Sequence, residues 1–361
     1  MVVRDLETPA LVIDQTILEE NLKRMDGLLA GTGLKLRPHY KSHKSPMIAK
    51  MQLDHGACGI TCSKLSEAED LVKAGVSDIL IANQVVQPAK ISRLAYLAGR
   101  CRLTVCVDQE ENIRALSEAA ALAGTQIHCY VELDVGMKRC GVTTFEEFYR
   151  LAALLQKLPG VSYDGVQAYA GNLAHEYDRE KREVSTSANE KRIADLLAYL
   201  AERGIERREV SGGSTGTVML KTKSSVYTEL QCGSFIFLDM AYRGMNTVFR
   251  NSLFVMATVV SAAPDHFVID AGVKSICPDQ GNPGLVGHPF EAISLSEEHT
   301  AFYGAHSLQV GDMVQVVPGH CCSTVNLFDE MYMVRRPDET SDLRDAAVAD
   351  CLQVVSRGKA K

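Results

Sequence analysis

The feature that most constrains the fold is a regular alternation of apolar strand-like segments with amphipathic helical segments, between about residue 17 and about residue 240. Eight such strand–helix units follow one another, joined by connections of ordinary length. Strands that alternate with helices form parallel sheets, and eight units in roughly 230 residues predict a closed (β/α)8 barrel of the TIM type. An open doubly wound sheet stays as the alternative, because periodicity alone does not establish closure.

Polar residues at the ends of these strands favour the barrel. In a barrel the chemistry gathers at the carboxyl ends of the strands, and the unusual polar groups of this chain stand at those places in the sequence. They are Lys41, Asn83 with Gln84, Asp108, Arg139, Tyr169 with His175, Ser211 to Thr215, and Gln231 to Ser234. We therefore expect a functional site at one end of the barrel.

Beyond residue 245 the pattern changes to β-rich segments that are separated by Pro, Gly and Asn, without a long helix between them. These segments predict a second, all-β domain. The strand at residues 8–13 precedes the first barrel strand and is available to that domain. The predicted boundaries are residues 14–244 for the barrel, and residues 1–13 together with 245–361 for the β domain.

Charge and hydropathy argue against two classes of partner. The net charge is -7 and the basic residues are scattered, which is not the pattern of a nucleic-acid-binding protein. No apolar run approaches the roughly 20 residues of a membrane span, and the first residues lack the core of a signal peptide. We expect a cytoplasmic protein whose 11 cysteines, an odd number without CxxC pairs, are reduced and mostly buried.

A polar octet, Arg37 to Lys44, follows the first helix and a short strand start. One interpretation is a charged loop. The other is that Lys41 is a covalent catalyst, because a lysine held among other cations and partly desolvated loses proton affinity, so that its neutral amine can attack a carbonyl. If that carbonyl belongs to pyridoxal phosphate (PLP), the chain must also supply a phosphate cradle and a partner for the ring.

The segment Ser211 to Thr217, with the sequence SGGSTGT, is a candidate for that cradle. It follows a predicted strand and opens a short helix, its glycines allow close approach of the backbone, and its hydroxyls donate hydrogen bonds. A simple Gly-Ser turn is the alternative. The candidate phosphate ligands are Gly213, Ser214 and Thr215, with Gly233 and Ser234 after the next strand.

His320 and Cys322 form a candidate metal pair after the strand that ends near Val317. Residues two apart on an extended segment point the same way, so both side chains are expected to converge on one ion. Two protein ligands leave open positions for water and substrate, as a Lewis-acid site requires. Without further context, a packed His-x-Cys pair is the commoner explanation.

Seven stretches along the chain resemble the D-threonine aldolase / D-serine dehydratase family of fold-type III PLP enzymes, which is related through its barrel to alanine racemase. They are Arg37 to Lys44, Asp134 to Gly141, Gln167 to Gly171 with His175, Ser211 to Gly216, Glu229 to Ser234, Asp270 to Lys274, and Pro318 to Cys322.

The resemblance implies residue roles around the cofactor. Lys41 is expected to attach PLP covalently, and Arg139 to hydrogen-bond its phenolic oxygen. Gln231 stands where the racemases place an arginine that faces the pyridine nitrogen, and a neutral amide cannot fix the protonation of that ring by charge. Gln84 and Tyr169 are expected to contact the cofactor as well.

The resemblance further implies cleavage of a D-3-hydroxy amino acid to glycine and an aldehyde. The divalent metal at His320 and Cys322 is expected to bind the substrate hydroxyl, and His175 to take its proton. For His175 a packed or capping histidine is the alternative. Cysteine at the second ligand position departs from the aldolases that carry aspartate there, and it favours zinc over manganese or magnesium.

Two other functions stay open. In the eukaryotic-type dehydratases, which carry cysteine at that position, Lys41 would remove the α-proton and the products would be an α-keto acid and ammonia. A non-catalytic PLP-binding protein is the second alternative, disfavoured by the extra β domain and its metal pair. Racemisation is disfavoured because no segment matches the tyrosine-bearing motif of the racemases, and a homodimer is expected from the family.

Overall fold

The computed structural model describes residues 1–206, 208–245, 247–338 and 340–360, and its contacts divide the chain into two units. The first, which we call the β unit, comprises Met1–Met25, Ser42–Met47 and Ser234–Gly358. The second, the barrel unit, comprises Asp26–Lys41, Ile48–Gly233 and Lys359–Lys361.

The strands and helices are numbered here in chain order. The strands are β1 Ala10–Asp14, β2 Lys35–Leu36, β3 Ile60–Cys62, β4 Asp78–Ile81, β5 Arg102–Val107, β6 Ile127–Glu132, β7 Val161–Ala168, β8 Glu209–Gly212, β9 Glu229–Leu230, β10 Leu253–Ala263, β11 His266–Ile269, β12 Gly284–Leu285, β13 Ala292–Leu295, β14 Thr300–Tyr303, β15 Met313–Val317, β16 Glu330–Arg335 and β17 Ala347–Gln353. The helices are α1 Gln15–Leu29, α2 Pro46–Asp54, α3 Leu65–Lys73, α4 Pro88–Leu97, α5 Glu110–Ala123, α6 Phe145–Leu155, α7 Arg179–Ala201, α8 Val218–Lys221 and α9 Cys321–Val325. Within the described ranges no helix has both the length and the apolar character that a bilayer crossing needs.

The strands β2 to β9 form one parallel sheet with the order β2-β9-β8-β7-β6-β5-β4-β3. Its two ends meet where His39, just beyond β2, forms a parallel bridge with Thr61 of β3. The Thr61 amide donates to the Pro38 carbonyl at 2.9 Å. The predicted (β/α)8 barrel is therefore confirmed, and its closure is achieved through residues that follow β2.

The interior of the barrel combines an apolar layer with a buried ion cluster. Leu80, Cys106 and Tyr130 pack together as a buried cluster. Below them Arg37 donates from Nε to Glu229 at 2.9 Å and from Nη1 to Asp78 at 2.6 Å. Glu229 opens β9 and Asp78 opens β4, so the guanidinium ties the first residues of two strands together.

The β unit contains a nine-stranded sheet in which the first strand of the chain is central. The path runs β13-β14-β11-β10-β1-β16-β17, and β15 pairs with both β10 and β12. β1 pairs antiparallel with β10, with Ala10 opposite Met256, and parallel with β16, with Val12 opposite Tyr332. The sheet thus joins residues 10–14 to strands that lie beyond Leu253 in the sequence.

Candidate active site

Lys41 lies on a short 3-10 turn, Tyr40–Ser42, that follows β2 at the carboxyl end of the barrel strands. Its Nζ atom is 5.8 Å from the centre of the Tyr169 ring, and Tyr169 directly follows β7. The guanidinium carbon of Arg139, from the loop after β6, lies 5.4 Å from the same ring. Both distances lie within the range of cation–π attraction, so three of the sequence-predicted residues come together around one aromatic ring.

His39 holds the Lys41 turn in place. Its Nδ1 accepts a hydrogen bond from the Lys41 backbone amide at 3.3 Å, and its Nε2 lies 3.3 Å from the Ser63 hydroxyl. The expectation that the cations of the octet surround Lys41 is wrong for Arg37, whose guanidinium is paired with Glu229 and Asp78. The nearby guanidinium is that of Arg139.

Gln84 lies among carboxylates at the ends of β5 and β6. Its Nε2 atom donates to Glu132 at 2.6 Å and to Asp108 at 3.4 Å. Burial raises the pKa of Glu132, while the Gln84 hydrogen bond and the charge of Arg139 lower it. Glu132 was missed from the sequence, although an acidic residue at the end of an apolar strand is a usable signal.

The loop Gly212–Thr217, which we call the phosphate loop, follows β8. Thr217 closes it, because its Oγ1 accepts from the Ser214 amide at 3.1 Å. Gly213 has φ +75°, in the region that favours glycine, and a side chain on Gly212 would collide with the Ala168 carbonyl. Thr215 Oγ1 is buried and, among the described residues, makes no hydrogen bond.

A buried hydroxyl without a partner costs free energy, and the oxygens of a phosphate are suitable acceptors for it. The glycines of the loop leave room for such a group to approach the backbone. The residues present in the phosphate loop therefore fit the phosphate of PLP.

Gln231 is buried in a network of neutral groups. Its Nε2 atom donates to Gln167 Oε1 and to Ser211 Oγ, both at 2.7 Å, and Gln167 returns a weaker bond at 3.4 Å. The amide is thus oriented by two neighbours on β7 and β8, with no charged partner in this network. Gly233 follows β9 and is the last residue of the central segment of the barrel unit.

His175 follows the 3-10 turn Gly171–Leu173, on the loop that begins with Tyr169. Its side chain is half-buried. The structure thus places His175 on the loop after β7, in the unit that also contains Lys41.

The candidate metal pair lies in the β unit, beside a carboxylate. His320 Nδ1 lies 3.0 Å from both carboxylate oxygens of Asp279 and 3.2 Å from the Ser323 hydroxyl. Burial alone would lower the pKa of His320, but a hydrogen bond and charge from Cys322, together with the Asp279 hydrogen bond, raise it to about 9. The Cys322 thiol is thus a hydrogen-bond and charge partner of the imidazole.

The backbone geometry between His320 and Cys322 differs from the sequence-based prediction. Cys322 is not on an extended segment, because α9 begins at Cys321 and His320 is its N-cap, with φ -141° and ψ 116°. The Cys321 amide donates to Asp239 at 2.7 Å, which fixes the start of the helix. Within the described ranges, no three His, Cys, Asp or Glu side chains form a group that could hold a metal ion.

The donor chemistry of the pair nevertheless fits a divalent ion. Histidine ligands commonly donate their second ring N–H to a carboxylate, which is the arrangement of His320 Nδ1 and Asp279. This leaves Nε2 and the Cys322 sulfur as the two donors. Cys322 Sγ also lies 3.3 Å from Ser42 Oγ and 3.6 Å from Ser234 Oγ, so Ser234 neighbours the metal pair within the β unit.

Comparison with known proteins gives consistent results for both units. The family model described as "Alanine racemase, N-terminal domain" matches residues 13–241, and the one described as "Putative serine dehydratase domain" matches residues 252–334. A D-threonine aldolase from Arthrobacter sp is 40% identical over 98% of this chain and 93% of its own length. A 3-hydroxy-D-aspartate aldolase from Paracoccus denitrificans is 36% identical over 92% of this chain and 89% of its own. The crystal structure of D-threonine aldolase from Filomicrobium marinum is 34% identical, with a TM-score of 0.94 over 99% of this chain and 98% of that one.

Proposed function

The chain belongs to the alanine racemase N-terminal domain family, and within it we propose that it is a PLP-dependent aldolase that cleaves D-3-hydroxy amino acids to glycine and an aldehyde. The observation that carries the proposal is the arrangement at the end of the barrel, where the Lys41 amine and the Arg139 guanidinium lie against the Tyr169 ring. Similarity to two aldolases over nearly the whole chain, at 40% and 36% identity, supports the reaction class.

The barrel unit would hold the cofactor through residues of distinct chemistry. Lys41 supplies the amine for covalent attachment, and the buried Thr215 hydroxyl, which makes no hydrogen bond to any described residue, supports the assignment of the phosphate loop. When bound, PLP withdraws electrons from the α-carbon of an attached amino acid, so that a bond to that carbon can break. The full proposed set is Lys41, Gln84, Arg139, Tyr169, Gly213, Ser214, Thr215, Gln231, Gly233 and Ser234.

The β unit would hold a divalent metal at His320 and Cys322. The contact of His320 Nδ1 with Asp279 supports this proposal, because it fixes the imidazole for binding through Nε2. A thiolate ligand favours zinc over manganese or magnesium. A bound divalent ion acts as a Lewis acid that lowers the pKa of a coordinated hydroxyl.

Proton transfer in the aldolase reaction is assigned to His175. Cleavage of the Cα–Cβ bond requires that the substrate hydroxyl lose its proton, and a neutral imidazole can accept a proton from it. Tyr169 and Arg139, which lie close to the Lys41 amine, would contact the cofactor, with Arg139 donating to its phenolic oxygen. The proposed substrate is a small D-3-hydroxy amino acid. We further propose that the protein is a cytoplasmic homodimer.

Product identification tests the reaction. The purified protein, stripped of metal with a chelator and then given back zinc or manganese, is incubated with D-threonine, D-serine and D-3-hydroxyaspartate. We expect glycine and an aldehyde from D-threonine, with activity lost on chelation and restored by metal, and no activity in Lys41→Ala. Formation of an α-keto acid and ammonia without aldehyde would overturn the proposal.

Dehydration is the second candidate function, and one observation favours it. Cys322 provides a cysteine at the second ligand position, as expected for the eukaryotic-type dehydratases that the sequence resembles. In a dehydratase the Lys41 amine would instead remove the α-proton of the substrate. The same incubation separates the two reactions, because only dehydration releases ammonia.

A further inference from the structure

A buried lysine lies directly behind the phosphate loop. Lys221 is the last residue of α8, and only 4% of its side chain is exposed. Its Cγ atom is 3.6 Å from the position that a Cβ atom on Gly213 would take. Only Cδ and Cε separate Cγ from the ammonium group, so the charge lies within one Debye length, about 10 Å at 0.1 M salt, of the loop.

Two side chains hold the ammonium of Lys221. Its Nζ donates to Glu190 Oε1 at 2.9 Å and lies 4.2 Å from the centre of the Tyr227 ring. The Tyr227 ring packs on the phosphate loop, because its Cε1 is 2.8 Å from the position that a Cβ atom on Gly212 would take. The Tyr227 hydroxyl donates to the Ala168 carbonyl at 2.9 Å, which fixes the ring.

The pair of Lys221 and Glu190 is unequal in its access to water. The side chain of Lys221 is 4% exposed and that of Glu190 is 22% exposed. Water screens the carboxylate more than the ammonium, so the interior beside the phosphate loop is influenced more by the ammonium than by the carboxylate. Burial lowers the pKa of Lys221, whereas Glu190 opposes that change.

A buried ion pair is a poor source of stability, because removing both charges from water costs about as much as their attraction returns. A pair in this position therefore calls for another explanation. The loop beside the pair contains the buried Thr215 hydroxyl, which makes no hydrogen bond within the described part of the chain and suits an anion.

We propose that Lys221 is a positioning residue for the cofactor phosphate: its ammonium, held behind Gly213 by Glu190 and the Tyr227 ring, stabilises the phosphate dianion, and Glu190 limits that effect. The inference rests on the proposed function, in that it takes the phosphate loop to bind PLP. It assigns the charge for phosphate binding to a side chain outside the loop itself.

The first test compares PLP with pyridoxal, which lacks the phosphate. Dissociation constants of both are measured by absorbance or fluorescence titration of the full-length apoprotein, with wild type and Lys221→Met. The variant loses the attraction between the phosphate and a unit charge within about 10 Å, at an effective dielectric constant of about 20. We expect this loss to weaken PLP binding about tenfold to hundredfold. Pyridoxal binding is expected to change by less than about twofold, since the interaction acts on the phosphate alone.

The second test separates charge from structure with two variants of α7. Glu190→Gln removes the opposing carboxylate while keeping the shape, so PLP binding is expected to tighten severalfold. Lys191→Met is the matched control, because Lys191 is the next residue, is 75% exposed and pairs with Asp195 at 2.8 Å. Its loss is expected to leave the PLP dissociation constant unchanged.

The outcomes are distinct. Three results would overturn the inference. The first is weaker PLP binding in both Lys221→Met and Glu190→Gln, and the second is an equal loss of PLP and pyridoxal binding in Lys221→Met. The third is unchanged PLP binding in Lys221→Met. If Lys221→Met does not fold, Glu190→Gln still decides, because a structural pair cannot tighten binding when one partner is removed. Failure of the wild type to bind PLP at all would instead refute the proposed function.

Discussion

The Nζ atom of Lys41 lies 5.8 Å from the centre of the Tyr169 ring, which also lies 5.4 Å from the guanidinium carbon of Arg139. An aromatic ring attracts cations through its electron-rich face. The Tyr169 ring therefore lies close to both the amine of Lys41 and the guanidinium of Arg139.

Replacement of Tyr169 tests this arrangement. Tyr169→Leu removes the aromatic face, and the loss of cation–π attraction of about 1–2 kcal/mol predicts a fall in kcat/KM for D-threonine cleavage of about tenfold. Tyr169→Phe keeps the face and is expected to stay within about threefold of wild type. Equal losses in the two variants would assign the effect to the hydroxyl instead.

Arg37 is predicted to stabilise the barrel by neutralising a buried acid. Arg37→Met leaves Glu229, which is 1% exposed, without its cation, and this is expected to lower the free energy of unfolding by about 3–5 kcal/mol. Urea denaturation measures the change. The control is Arg93→Met, which breaks a more exposed pair with Glu69 and is expected to cost at most about 1 kcal/mol. A similar cost for both variants would contradict the prediction.

Asp279 is predicted to strengthen metal binding through His320. Asp279→Asn keeps the shape but removes the charge that contacts Nδ1, so the affinity for zinc is expected to fall about 10- to 100-fold. Competition with a chromogenic chelator measures it. The matched control is Asp265→Asn, which removes a carboxylate 2.9 Å from the Nδ1 of another histidine, His266. If both variants bind zinc as wild type does, Asp279 does not support the metal.

The folded protein is predicted to lose stability in alkali through the Cys58 thiol. Burial raises the pKa of its thiol from 9.0 to about 11. The charge of Arg37 opposes this shift, and the charge of Glu229 adds to it. The folded state then holds the proton more tightly than the unfolded state, so stability present below about pH 9 is lost as the pH rises towards 11. The stability difference between wild type and Cys58→Ala is expected to shift by about 2–3 kcal/mol over this range. A difference that stays constant from pH 8 to pH 11 would refute the prediction.

The sequence was sufficient to predict the barrel but not how it closes. Eight apolar segments predicted the strands of the sheet, because parallel strands that are buried on both faces are continuous apolar runs. The closing contact joins Thr61 of the three-residue strand β3 to His39, which lies beyond the two-residue strand β2 and carries no periodic signal. The polar first half of α7, and β17 with its mostly exposed side chains, were missed for the same reason.

The candidate site was predictable where its residues belong to short local motifs. Lys41, Tyr169 and Arg139 were identified in this way, and the structure brings them together. Two other contacts were not identifiable from the sequence. Arg37 and Glu229 are 192 residues apart, and His320 and Asp279 are 41 residues apart. Contacts at such separations depend on the fold and leave no local pattern.

The central position of β1 has a consequence for how this protein is made. Residues 10–14 leave the ribosome long before the neighbours of that strand, because one neighbour begins at Leu253 and the other includes Tyr332. Until Tyr332 has been synthesised, these residues present unpaired backbone amides and carbonyls of the kind that template aggregation. Nascent chains that stop short of Tyr332 would therefore expose an aggregation-prone strand edge, which the cell must shield until that residue has been made.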